Sequence, residues 1–176
     1  MSSDASRAGA AGDAGADGTD GADAAGPEFA DVREAVTAVV RGVVPMAGLR
    51  DFFDTSFRAL GETVGRQQVA VTGPAFGLYR EPPRETADLE VGFVTDRPVR
   101  PEGDVVVSSL PAGRVARLVH HGSFDGLVAS WARLEAFVRE QGLRPGPLMW
   151  EFYVTEPRPD MDPRDLRTEL NLTVEE

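Results

Sequence analysis

The sequence predicts an α+β fold in which one extended antiparallel sheet carries two main helices on one face. Three observations predict it. Runs rich in β-branched residues or alternating apolar and polar residues recur along the chain. Two longer stretches place apolar residues at helical spacing. The order strand, helix, strand, strand occurs twice in succession, so each half has one helix and can cover only one sheet face.

The elements follow in chain order. Residues 1–27 are mostly Ala, Gly, Ser and Asp and have almost nothing to bury, so they are expected to form a disordered tail. Residues 28–176 form the domain, with repeats at about 29–97 and 104–174 joined by Arg97 to Gly103. In the first repeat, "AVTAVVRGVV" (Ala35 to Val44) is strand-like and Pro45 opens a helix. Its apolar stripe is Leu49, Phe52, Phe53, Phe57, Leu60 and Val64, and Gly61 and Gly65 weaken its end. "AFGLYR" (Ala75 to Arg80) and "LEVGFV" (Leu89 to Val94) read as two strands around the turn-rich "EPPRET".

In the second repeat, Asp104 to Ser108 and Val115 to His120 are strand candidates. A helix is expected from about Phe124 to Gln141, with Leu127, Val128, Trp131, Leu134 and Val138 as its stripe. Ser123 or Asp125 could cap its start, and Gly142 could end it. Leu148 to Thr155 and "LRTELNLTV" (Leu166 to Val174) supply the last strands. The halves overlay at "GPAFGLY" on "GPLMWEFY" and at "LEVGF" on "TELNL", which places Gly77 over Glu151, Tyr79 over Tyr153 and Glu90 over Glu169. Chance similarity between short strands is the alternative account.

Glu151, between Trp150 and Phe152, is out of place in an otherwise apolar strand. Strand side chains alternate, so Met149, Glu151 and Tyr153 share one face while Leu148, Trp150 and Phe152 share the other. An acid over a glycine, with a tyrosine two residues beyond each, suggests an open space lined by rings. An unpaired carboxylate there is costly and its pKa rises unless a cation arrives. The guest such a space would suit is a lipophilic or aromatic cation, held further by ring faces at about 0.5–2 kcal/mol each. The competing reading pairs Glu151 with Arg80, Arg114 or Arg167, or leaves it at a wet sheet edge.

Composition narrows the chemistry. There is no cysteine, hence no disulfide, thiolate site or cysteine nucleophile. There is no lysine either, since all 18 cationic side chains are arginine, which removes Schiff-base chemistry and a phosphate-loop lysine. The absence of lysine and isoleucine fits a GC-rich bacterial genome. A net charge of −11 disfavours direct nucleic-acid binding. No apolar run approaches the roughly 20 residues that span a bilayer, so a cytoplasmic location is expected. His120 and His121 are adjacent and face opposite ways on a strand, and no spaced ligand completes a metal set, so neither metal nor cofactor is expected. "HHGSFDG" lacks the nucleophile-elbow spacing of a hydrolase triad. His121 remains a candidate for the mouth of the space, and Trp131 a candidate wall residue drawn from the helix stripe.

Taken together, "VVRGVVPMAGLRDFFDTSF", "GPAFGLY", "LPAGRVARLVHHGSFDGL" and "GPLMWEFYVTEP" followed by "LRTEL" resemble the gyrase-inhibitor-like small-molecule-binding domain, also found as the effector module of AraC-type and MerR-type regulators. The resemblance covers about Phe29 to Val174. It implies a duplicated strand–helix–strand–strand unit with a groove between the two helices, where hydrophobic and often cationic drugs bind. It assigns Glu151 the role of meeting the ligand's charge, with Tyr153, Met149, Tyr79, Trp131 and His121 as surrounding candidates. The acidic tail stands where regulators carry a DNA-binding domain, which suggests a stand-alone form. Phe124 replaces a frequent tyrosine. Stand-alone relatives also suggest a hydrolase of cyclopropane-bearing DNA-alkylating compounds, with Glu151 activating water. A third expectation is an inhibitory protein partnership with a topoisomerase.

Overall fold

The structure is a computed structural model that describes residues 26–155 and 158–176. Apart from Gly26 and Pro27, the expected tail lies outside the described residues. The strands are β1 (Glu28–Val32), β2 (Ala35–Pro45), β3 (Val71–Tyr79), β4 (Thr86–Thr95), β5 (Val105–Leu110), β6 (Gly113–His121), β7 (Arg144–Tyr153) and β8 (Arg167–Glu175). They form one antiparallel sheet in the order β1-β6-β8-β7-β3-β4-β2-β5. Two helices, α1 (Leu49–Gln67) and α2 (Leu127–Glu140), follow β2 and β6, each entered through a single 3-10 turn. The α+β architecture read from the sequence is the one observed.

Both helices pack on the same sheet face. Leu60 and Val64 of α1 and Trp131, Leu134 and Val138 of α2 share one buried cluster with Ala38, Val40, Leu89, Val91, Leu118, Leu170 and Leu172 of the strands. The other face has no helix to cover it, yet Val39, Phe76, Val115 and Trp150 there are almost completely buried.

Strand register explains how. Glu28 faces Arg117 and Val32 faces Gly113 in the β1–β6 ladder. Continuing that count across the two residues that separate β1 from β2, and β5 from β6, brings Ala35 opposite Leu110 and Val40 opposite Val105, which is the observed β2–β5 ladder. A two-residue link spans at most about 10 Å between strand ends. The two ends of the sheet order are therefore adjacent in space and the sheet curls back on itself. Its concave side encloses a second apolar cluster, which includes Ala30 and Val32 of β1 and Val106 and Leu110 of β5.

The sequence of elements β2-α1-β3-β4 is matched by β6-α2-β7-β8, and the two series meet at the β3–β7 pair. Three local features differ from expectation. β1 was not foreseen. α1 runs through Gly61 and Gly65 to Gln67 and ends where Gln68 takes a left-handed conformation, φ 55°, its N–H donating to Val64 O and Gly65 O. Neither Ser123 nor Asp125 caps α2 through its side chain; Gly126 occupies the cap position, and Gly142, φ +81°, follows the helix end as expected.

Candidate functional site

The β3–β7 ladder places Gly77 directly opposite Glu151, and Tyr79 opposite Met149. On the helix side of this pair lies a cleft of about 1010 Å³, at the upper end of the roughly 300–1,000 Å³ of small-molecule sites. Leu49, Phe53 and Phe57 of α1 form one wall, Phe124 and Leu127 at the start of α2 the other, and Ala75, Tyr79, Phe93, Glu151 and Tyr153 the floor. Arg50, Asp54 and Val154 also line it.

The rings form a continuous series. Phe93 meets Phe57 edge-on at 5.4 Å, Phe57 lies 6.0 Å from Phe53, Phe53 meets Tyr153 at 5.9 Å, and Tyr153 meets Phe124 at 6.1 Å. Edge-to-face contact leaves ring faces free to pack against a guest.

Glu151 is 6% exposed. Its Oε2 accepts the Trp131 indole N–H at 2.8 Å and its Oε1 accepts the Tyr153 hydroxyl at 2.9 Å. Both donors are neutral. Burial pushes its pKa above the usual carboxylate range, opposed by those two hydrogen bonds and by the charge of His120. Burial, and then the negative charge of Glu151, pushes the phenols of Tyr153 and Tyr79 upward, so both remain protonated.

The three arginines that could have neutralised Glu151 are engaged elsewhere. Arg80 pairs with Glu90 and Asp88, Arg114 lies 4.1 Å over the ring of Phe29, and Arg167 donates to the carbonyls of Arg164 and Leu166. Glu90 provides the contrast. It is equally buried, but Arg41 and Arg80 both hold it. One buried acid is held directly by arginines, and the other accepts hydrogen bonds from neutral donors, with the charge of His120 acting on it from a distance.

Of the residues singled out from sequence, Glu151, Tyr153 and Tyr79 come together on the cleft floor. Trp131 is buried in the core and reaches the site through its indole N–H. Met149 shares the face of Glu151 but is packed into the core cluster rather than the cleft lining. His121 lies away from the cleft, in a separate hollow of about 300 Å³ with Gly26, Glu28, Arg117 and Arg167. Strand alternation turns it away, and its neighbour His120 faces the helix side instead. There His120 is hydrogen-bonded to Ser123 O through Nε2 and to Ser130 Oγ through Nδ1, both at 2.7 Å, which pins the start of α2. The room left by Gly77 is not open. A Cβ there would stand 2.9 Å from the Tyr153 hydroxyl and 3.4 Å from Phe53.

By periodicity Phe53 and Phe57 belong to a core stripe, and nothing local in the sequence places Phe93 or Leu127 at the site, yet all four line the cleft. The only available signal was an α1 stripe wider than one helix face needs. Among the described residues, no group of three or more His, Asp or Glu side chains could share a metal ion, and no helix is long and apolar enough to cross a membrane.

Comparison with known proteins agrees with this fold. The C-terminal domain of EcmrR is similar with 20% identity and a TM-score of 0.75, over 85% of this chain and 97% of that one. Against EcmrR in its DNA complex, the chain spans 57% of the length. A hydrolase from Listeria innocua is similar with 18% identity and a TM-score of 0.62, over 85% of this chain and 91% of that one. SAV2435 bound to tetraphenylphosphonium is similar with 11% identity and a TM-score of 0.60, over 85% and 93%. At such identities these likenesses establish the fold. No curated protein matches the sequence. The model of the GyrI-like small molecule binding domain matches residues 28–175, and the chain belongs to that family.

Proposed function

We propose that the chain binds hydrophobic organic cations, including polyaromatic ones, in the cleft between α1 and α2, and acts by sensing or sequestering them. The observation that carries this reading is the pairing state of Glu151: a nearly buried carboxylate at the floor of a ring-lined cleft, held only by neutral donors. A cation that sheds its water on ring faces would meet an acid whose hydrogen-bond partners are neutral, with no salt bridge to displace. Titration of tetraphenylphosphonium and of tetraphenylborate, ions of the same size and opposite charge, tests it. The wild-type protein should prefer the cation, and Glu151→Gln should abolish the preference. Equal affinity for the two ions in the wild type would refute the reading.

A second reading, hydrolysis of cyclopropane-bearing DNA-alkylating compounds, is favoured by the raised pKa of Glu151 and by the likeness to the Listeria hydrolase. A carboxylate whose basicity is raised by burial can take a proton from water as it attacks the strained ring. Incubation with such a compound and mass spectrometry of the products decides it. Repeated turnover lost in Glu151→Gln supports hydrolysis, and stoichiometric binding alone refutes it for that substrate.

A further inference from the structure

Tyr79 and Tyr153 sit in matching places, each two residues after one member of the Gly77–Glu151 pair. Their hydroxyls differ. That of Tyr153 donates to Glu151, two residues back on its own strand. The residue two back from Tyr79 is Gly77, which has no side chain to accept. Among the described residues the Tyr79 hydroxyl has no hydrogen-bond partner, although the residue is 6% exposed and lines the cleft. A phenol with no partner in the chain and a place in the cleft lining has its hydrogen bond to give to whatever fills the cleft.

We propose that the Tyr79 hydroxyl is a donor reserved for the ligand, so that the preferred guests are aromatic cations that also carry a carbonyl oxygen. This rests on the cation-binding reading above and sharpens it. Tyr79 and Glu151 are diagonal neighbours on adjacent strands, about 7 Å apart at the backbone. The two polar contacts therefore fall at separate points of one guest, charge at Glu151 and oxygen at Tyr79, with the phenylalanine rings gripping the apolar remainder. The phenol stays protonated, because both burial and the nearby Glu151 charge disfavour its anion, and so it keeps an O–H to donate to a ligand oxygen.

The test compares benzyltriphenylphosphonium with its 2-, 3- and 4-acetylbenzyl derivatives, and reads the ratio of dissociation constants within each protein. At least one isomer should bind the wild type up to about tenfold more tightly than the parent, the range of a single neutral hydrogen bond. In Tyr79→Phe that ratio should fall to about one. The substitution keeps the ring and removes no hydrogen bond of the free protein, so the variant folds. A ratio near one for all three isomers in the wild type, or a preference that survives in Tyr79→Phe, overturns the proposal. Benzophenone and diphenylmethane, a neutral pair that differs by the carbonyl, are measured in parallel. A benzophenone preference lost in Tyr79→Phe upholds the donor role even if no phosphonium binds, and in that case only the cation reading fails; an absent preference in both series sinks the donor role itself.

Discussion

Replacing Glu151 by Gln should weaken cation binding and stabilise the free protein, and the opposite signs follow from the same contacts. The amide is the same size as the carboxylate. Its oxygen can take the Trp131 N–H, and its NH2 can donate to the Tyr153 hydroxyl, which rotates from donor to acceptor. Both contacts survive but become neutral, a loss of about 1 kcal/mol each. Against that, the ionised group no longer has to be held out of water, which is worth several kcal/mol even after relaxation. The balance is a gain of roughly 1 kcal/mol, or an increase in Tm of about 2–4 °C for a domain of this size.

The gain depends on pH. Glu151 is an acid whose folded pKa lies above its unfolded value, so between the two the folded state binds more protons and stability falls as pH rises through that window. The variant should therefore be more stable than wild type at neutral pH and equal to it once the pH drops below the unfolded carboxylate range. For binding, a cation about 4 Å from the carboxylate gains up to ~4 kcal/mol at an effective dielectric constant of 20, part of it offset by desolvation. A 10- to 100-fold loss of tetraphenylphosphonium affinity is expected, equivalent to about 1.4–2.8 kcal/mol. Calorimetric titration and thermal unfolding across pH read both quantities. A lower Tm at neutral pH, with cation affinity unchanged, would show that the carboxylate secures the fold rather than the ligand.

Wild-type affinity for tetraphenylphosphonium should fall by up to about tenfold per pH unit below the raised pKa of Glu151 and level off at the affinity of Glu151→Gln, which gives a flat profile in the same titration. Gly77→Ala should push the Tyr153 hydroxyl away from Glu151 and raise the pKa of Glu151 further, because the added Cβ would stand 2.9 Å from that oxygen; the midpoint of the pH–affinity curve should move to higher pH, and an unmoved midpoint refutes the contact's role. His120→Ala should lower Tm by roughly 4–8 °C, about 2 kcal/mol, through loss of the bonds to Ser123 O and Ser130 Oγ at a site 7% exposed. It should also weaken binding of every ligand, since Phe124 and Leu127 lose their anchorage; a titration panel showing unchanged affinities would contradict this.

Local patterns made much of this molecule readable in advance. Alternation in "GPLMWEFY" placed Glu151 and Tyr153 on one face and Trp150 on the other, and the structure puts Trp150 in the concave cluster and Glu151 on the cleft floor. Helical spacing located α1 and α2 to within a few residues. What escaped detection depends on distant partners. β1, "EFADV", has no alternation of its own and is ordered by pairing with β6. The start of β3 contains Gly73 and Pro74, which read as a break, yet the strand continues across a register shift. The split between core and cleft along the α1 stripe is also long-range. Leu60 and Phe53 obey the same periodicity, and only the placement of α2 across the sheet decides that one is buried and the other lines a cavity. The curl of the sheet is a further case, because it depends on two ladders sharing a register, which no local window contains.

The meeting point of the two similar halves constrains what the site can be. Residues directly opposite on antiparallel strands have Cβ atoms about 4.5–5.5 Å apart. Had both halves carried an acid, two buried carboxylates would have faced each other across that gap, and one would have been forced to hold a proton. Two glycines would have left an apolar cleft with no charge to select a guest. The Gly77–Glu151 pair avoids both outcomes. It leaves one acid with no second carboxyl facing it, lets Tyr153 lie across the glycine to bond that acid, and leaves Tyr79 with no acceptor two residues back. A sheet whose strand order is nearly symmetric thus produces a floor with one negative end and one donor end. In the proposed reading it is the Gly77–Glu151 difference between the halves, rather than the architecture they share, that would set the polarity of the guest.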